Sequence, residues 1–241
     1  MTAPTRKDEL KANLERVLGE IRDAERAAGR EAGSVRLLPV SKFHTVDDIA
    51  TLGELGVELV GENREQEARG KAEELAAAGC AVGIAMIGQI QSKKANAVAR
   101  WAAEVHSVDS VKLAEGLDRG MALALERGVR TAAPLPCLVQ VSADGDTARG
   151  GIPYAQLDNV AEAIERAEHL QLAGLMVVPP LGSDAAAVFA QARSRADALG
   201  EKHGRAMLLS AGMSGDFAEA VACGSDIVRV GTGVFGARPV G

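Results

Sequence analysis

The chain has 241 residues, long enough for one large domain or two small ones, and its 47% hydrophobic and 25% charged content excludes disorder, collagen-like repeats and low complexity. A net charge of −6 and only six aromatics (four Phe, one Tyr, one Trp) argue against a general nucleic-acid binder, which needs basic faces and stacking platforms. Cys80, Cys137 and Cys223 are odd in number, far apart and without ligand-spaced histidines, so neither a disulfide framework nor a metal site is expected.

The opening stretch MTAPTRKDELKANLERV is charged throughout and lacks the apolar core of a secretory signal, which predicts a cytoplasmic protein. Within residues 7–29, Leu10, Leu14, Val17, Leu18 and Ile21 recur at helical spacing and predict an amphipathic helix. The run VRLLPVSK, residues 35–42, is too short and too β-branched for a helix and reads as a buried strand. Thr45 with Asp48 three residues on gives a capping-box start to a helix reaching about residue 55. The uncharged run 75–92 holds three glycines and two glutamines, and reads as a helix end, a turn and a strand, with no membrane span.

The same cadence continues. Strands are expected near 57–62, 82–88, 103–108, 135–142, 170–178, 205–210 and 226–231, with helices at 62–78, 110–127, 153–168, 183–199 and 214–223. Eight strands alternating with helices, with no linker or composition break, predict one α/β domain: a (β/α)8 TIM barrel spanning 1–241 with an extra N-terminal helix packed on it. An open doubly wound sheet is the structural alternative.

In a barrel the functional residues sit where strands run into the following loops. The polar residues at the expected strand ends are Ser41-Lys42, Gly61-Glu62-Asn63, Gly88-Gln89, His106-Ser107, Gln140 to Ser142, Ser210, and Arg229 to Thr232. Lys42 is the most informative of them. A lysine closing the run LLPVSK is expected to be partly desolvated, which would favour the neutral amine that a nucleophile or Schiff base needs; the plainer reading is a lysine snorkelling from a strand end. The small-residue turns at 210–214 and 231–233 could present amides and hydroxyls to an anion, a role common after strands seven and eight of barrels. GTGVFG at 231–236 matches GxGxxG formally, but no second strand and acidic residue follow, so it is not a dinucleotide fingerprint. Arg229 inside IVRVG needs an acceptor, either a structural ion-pair partner or a bound cofactor.

Taken together, LLPVSKFHTVDDI, GENREQEARGKAEEL, MIGQIQSKKAN, VHSVDSVKLAEGL, LVQVSADGDTARGGIP, GLMVVPP, LLSAGMSGDFAEAV and VRVGTGVFGAR resemble, in order and over nearly the whole chain, the pyridoxal phosphate homeostasis proteins (YggS/PROSC-like). The resemblance implies a fold similar to the barrel domain of alanine racemase and pyridoxal 5′-phosphate (PLP) held as an internal aldimine on Lys42. It also implies that Asn63 lines the cofactor, that Ser210, Gly231 and Thr232 hold its phosphate, and that Arg229 faces the pyridine nitrogen. The implied function is intracellular PLP homeostasis without clear catalysis, as a monomeric carrier serving PLP-dependent apoenzymes. A PLP-dependent amino-acid racemase and a Schiff-base class I aldolase are the alternatives. The racemase relatives take their second base from a β domain that these residues do not include, and the lone Tyr154 is a weak substitute. Gln89, Lys93-Lys94, Ser142 and Arg149 depart from the family pattern, and Arg149 puts in doubt any secondary cofactor contact made by a lysine there.

Overall fold

The computed structural model describes residues 4–237, without the side chain of Arg149. An amphipathic helix α1 (Arg6–Ala27) opens the chain, started by a capping box between Thr5 and Asp8. Then follow β1 (Arg36–Pro39), α2 (Val46–Glu54), β2 (Leu59–Glu62), α3 (Glu65–Ala77), β3 (Gly83–Met86), α4 (Ala95–Trp101), β4 (Ala102–Val108) and α5 (Val111–Glu126). The second half runs β5 (Leu135–Val141), α6 (Leu157–Arg166), β6 (Leu170–Val177), α7 (Ala185–His203), β7 (Leu208–Met213), α8 (Phe217–Ala222), β8 (Ile227–Val230) and a short α9 (Thr232–Phe235).

All strand pairs are parallel and the order is β1-β8-β7-β6-β5-β4-β3-β2, so the expected barrel is present. It is nearly closed. Between β1 and β2 the ladder is reduced to one bridge, Val40 to Gly61. Side chains alternate as parallel strands under helices require. Leu38, Ala85, Leu138, Met176 and Ile227 meet inside and fill the barrel, while Val105, Val139, Leu175 and Leu209 face the helices. Leu10, Leu14, Val17 and Ile21 of α1 bury their stripe on Phe217, Val221, Val228 and Phe235, docking the helix outside β8.

The sequence expectations differ from the structure at four places. The helix α4 was not anticipated, because its seven residues follow a Gly/Gln-rich stretch and offer less than two turns of periodicity. The short α9 was likewise missed. Thr45 does cap α2, accepting from the Asp48 amide at 3.2 Å, but the Asp48 carboxylate turns to Arg6 of α1 (2.8 and 2.9 Å) and does not close a capping box. Finally, β7 runs 208–213, not 205–210, because α7 continues to His203 and ends on a left-handed Gly204. Ser210 therefore lies mid-strand, fully buried, instead of at the strand end.

Gly174 fixes the β6/β7 pairing, since it adopts φ +152 and an added Cβ would lie 1.9 Å from the Leu208 carbonyl oxygen. Gly174→Ala is expected to destabilise the protein by at least about 2 kcal/mol. Urea unfolding checks this, and a midpoint equal to the parent's would contradict the tight contact.

Candidate cofactor site

The carboxyl ends of β2, β1, β8 and β7 are neighbours in the barrel and build one quadrant of its rim. Two bonds bring the β1 end there: the Val40 amide donates to the Val230 carbonyl at 2.9 Å and the Ser41 amide to the Gly61 carbonyl at 3.0 Å. Lys42 follows in a turn, half-buried, with Nζ 5.3 Å from the Phe43 ring centroid. Asn63 stands on the next loop, exposed, where an added Cβ on Gly88 would lie 2.0 Å from the Asn63 carbonyl oxygen. Gly231 and Thr232 follow β8, and the His44 ring stacks on Phe235 of α9 at 4.6 Å, tying that segment to the Lys42 turn.

Beneath the turn lies a buried cluster in which the strand-end residues Ser41 and Glu62 meet Lys71 and Glu67, two residues the sequence did not single out. Lys71 of α3 donates to the Glu62 carboxylate (2.6 Å), the Glu67 carboxylate (2.8 Å) and the Ser41 carbonyl (2.8 Å). The Ser41 hydroxyl donates to the same Glu62 oxygen at 2.6 Å, and the Phe43 amide donates to Glu67 at 2.8 Å. Both residues flanking Lys42 are thus clamped, and Phe43 is held at φ 70, a left-handed conformation uncommon for a bulky residue. Burial pushes the Glu62 carboxyl above its usual range, while burial at Glu67 is outweighed by the bonds from Lys71 and Phe43, which hold it below. A signal for the cluster did exist. Lys71 falls on the buried stripe of α3 between Ala68 and Leu75, a phase where a solvated lysine does not belong.

Beside its apolar filling, the barrel interior under the rim holds buried polar groups. Arg229 donates from Nη1 to the Ser210 carbonyl (2.7 Å) and hydroxyl (2.9 Å), and from Nη2 to the Val177 carbonyl (3.0 Å). Burial lowers its pKa to about 10, so it stays cationic at neutral pH. A guanidinium has five N–H groups, so Nε–H and one Nη2 proton remain without an acceptor among the described residues.

Next to Arg229, the register pairs it with Met213, which sets the turn after β7 beside Gly231. Among the described residues, the amides of Ser214, Gly215, Gly231, Thr232 and Gly233 have no acceptor, so adjoining turns present several free donors. Such a nest suits an anion. The Ser210 hydroxyl is not among the free donors, because its oxygen accepts from Arg229 and His106 Nδ1 lies 3.2 Å from it. On the β2/β3 side a cleft of about 600 Å³ lies between Asn63, Glu65, Gln89, Gln91 and Lys94. Tyr154 stands elsewhere, between α6 and α7 near Leu157 and Leu199 and outside the strand ring, with Arg195 5.5 Å from its ring. No cluster of three or more metal-binding side chains occurs among the described residues, nor any helix long and apolar enough to cross a membrane.

Fold and rim together define a single-barrel protein of the alanine racemase type: the family model "Alanine racemase, N-terminal domain" matches residues 12–239. The chain is 57% identical over 211 residues to the pyridoxal phosphate homeostasis protein of Corynebacterium glutamicum, covering 88% of this chain and 94% of that one. The structure of PipY from Synechococcus elongatus with PLP bound superposes with TM-score 0.77 at 34% identity, covering 94% of this chain and all of PipY. Alanine racemase of Corynebacterium glutamicum shares the fold alone, with TM-score 0.67, 18% identity and 62% of its length covered. The chain belongs to the pyridoxal phosphate homeostasis protein family.

Lys71→Met strands a buried Glu62 carboxylate and is expected to destabilise the fold by about 3 kcal/mol or more at neutral pH. The deficit should shrink on acidification. A carboxyl with a folded pKa above its unfolded one favours folding more as pH falls, so Glu62 relieves the loss by taking up a proton. Urea titrations at mildly acidic and mildly alkaline pH test both statements, and a pH-independent deficit would rule out this origin.

Proposed function

We propose that the protein binds pyridoxal 5′-phosphate at the β2-β1-β8-β7 rim quadrant and serves intracellular PLP homeostasis as a monomeric carrier for PLP-dependent apoenzymes. The observation that carries this reading is the convergence, at one quadrant of the rim, of a clamped half-buried lysine, a guanidinium on β8 with two free donors and a group of free backbone amides. These three features match the aldehyde, the pyridine nitrogen and the phosphate of that molecule. Lys42 would hold the cofactor through its amine, and the aldehyde would supply reversible imine chemistry there, with water as the leaving group. Gly231 and Thr232, with Ser214 and Gly215 opposite, bind the phosphate through backbone N–H groups. Asn63 lines the open side, and Ser210 acts from below by fixing Arg229. That PipY was solved with PLP bound supports the same ligand here.

Arg229 bears on whether the site is catalytic. A cation that only donates hydrogen bonds leaves the pyridine nitrogen unprotonated, and the ring is then a weak electron sink. Racemisation also needs a second base across from Lys42, and Tyr154, outside the strand ring, does not supply one. Binding without turnover fits this set of groups better than the racemase or aldolase alternatives.

The test is the near-visible spectrum with PLP, followed by borohydride reduction and peptide mapping. The parent is expected to turn yellow and to carry a pyridoxyl group on the Lys42 peptide, whereas Lys42→Ala should lose both and keep the parent's circular dichroism. An undiminished adduct in Lys42→Ala would overturn the assignment.

A further inference from the structure

His106 is a buried titratable group that the proposed function does not use. His106 lies inside the barrel with no exposed surface, as does Ser210, and Arg229 is 4% exposed. A chain of bonds crosses the interior through it. Arg36 of β1 donates to both Glu104 oxygens (2.6 and 2.7 Å), Glu104 lies 2.8 Å from His106 Nε2, and His106 Nδ1 lies 3.2 Å from the Ser210 hydroxyl. The Ser210 hydroxyl in turn accepts from Arg229 Nη1 at 2.9 Å.

With a neutral His106 ring, the protons in this chain have one consistent arrangement. Arg229 has no acceptor atoms, so the Ser210 oxygen accepts from it, and the Glu104 carboxylate only accepts, so a neutral His106 ring carries its proton on Nε2 and takes the Ser210 hydroxyl proton at Nδ1. Nδ1 is then unprotonated, and Nε2–H donates to Glu104. Burial holds the His106 pKa below its usual value, with the Glu104 bonds opposing and Arg229 and Arg36 adding to the depression, which agrees with a neutral ring. Burial would raise the Glu104 carboxyl, yet the bonds from His106 and Arg36 hold it down to about 2, so Glu104 is the charged acceptor. The two Nη1 bonds of Arg229 therefore both end on Ser210, one on a backbone carbonyl that cannot move and one on a hydroxyl whose rotation His106 sets.

We propose that His106 is a positioning residue, which orients the Ser210 hydroxyl and through it aims the two free Arg229 N–H groups at the pyridine nitrogen of bound PLP. This inference rests on the cofactor reading above. His106 touches no part of the cofactor site itself; its effect passes through Ser210.

Two substitutions separate its two bonds. His106→Asn keeps an acceptor near the Nδ1 position for Ser210 and gives up Glu104; His106→Gln keeps a donor near the Nε2 position for Glu104 and gives up Ser210. The measurement is the pH at which the near-visible band of the PLP adduct changes form, which reports the charge environment of the ring and which a purely structural role would leave unmoved. His106→Gln is expected to shift that pH by about one unit and to weaken PLP binding about tenfold, while His106→Asn stays near the parent. Coincident pH profiles for the parent and His106→Gln would overturn the role while leaving the cofactor reading standing. A parent without any band would overturn both. Nitrogen NMR of the ligand-free parent tests the chain without any variant that must fold: Nε2–H on His106 is expected, and Nδ1–H would refute it.

Discussion

The turn that carries Lys42 is held by a buried ion pair at the seam where the barrel ladder is reduced to a single bridge. Between β1 and β2 only the Val40 to Gly61 bridge remains, and Lys71 closes the gap from below by bonding Glu62 at the end of β2 and the Ser41 carbonyl after β1. Removing two charges from water is expensive and is offset only when each finds further partners. Here the ammonium makes three bonds and the shared Glu62 oxygen accepts two. The arrangement therefore does more than stabilise the seam: it fixes the backbone on both sides of Lys42, so the amine leaves the barrel in one direction.

The same cluster accounts for the strained backbone of the turn. A left-handed Phe43 costs on the order of 1 to 2 kcal/mol, which the Phe43 amide bond to Glu67 offsets. The cationic groups of Lys42 and Arg64 lie 5.3 and 5.2 Å from the Phe43 ring centroid, within the range of cation–π attraction. On the far side of Lys42, the β8 end meets the same turn through Val230 and the stack of His44 on Phe235. Barrel closure, the position of the amine and the presentation of the Gly231-Thr232 amides are thus one structural problem with one solution.

The barrel and most of its rim were legible in the sequence because buried apolar runs mark parallel strands and their ends mark the rim. Lys42, Asn63, Gly231 and Thr232 fall on adjoining loops as that rule requires. The rule failed for Ser210 because β7 continues through Ala211 and Gly212, residues of low strand propensity that carry no apolar signal for where the strand stops. Lys71 was hidden for the opposite reason. It lies in the charged motif GENREQEARGKAEEL, where only its phase relative to Ala68 and Leu75 reveals burial. Glu104 and His106, two apart on β4, face the same side of the strand, but that this side is the barrel interior and that Ser210 meets them there follow from the tertiary structure alone. The motif resemblance gave Arg229 a role as an expectation; its fixed geometry comes from bonds to Ser210 and Val177.

A crystal structure of the protein soaked with PLP tests most directly whether the rim quadrant is a cofactor site organised around Lys42. Continuous density from Lys42 Nζ is expected, with the ring nitrogen in hydrogen-bond reach of Arg229 and the phosphate on the amides of residues 214–215 and 231–233. PLP seated instead in the cleft beside Gln89 and Lys94, or bound with its ring nitrogen turned away from Arg229, would contradict that organisation.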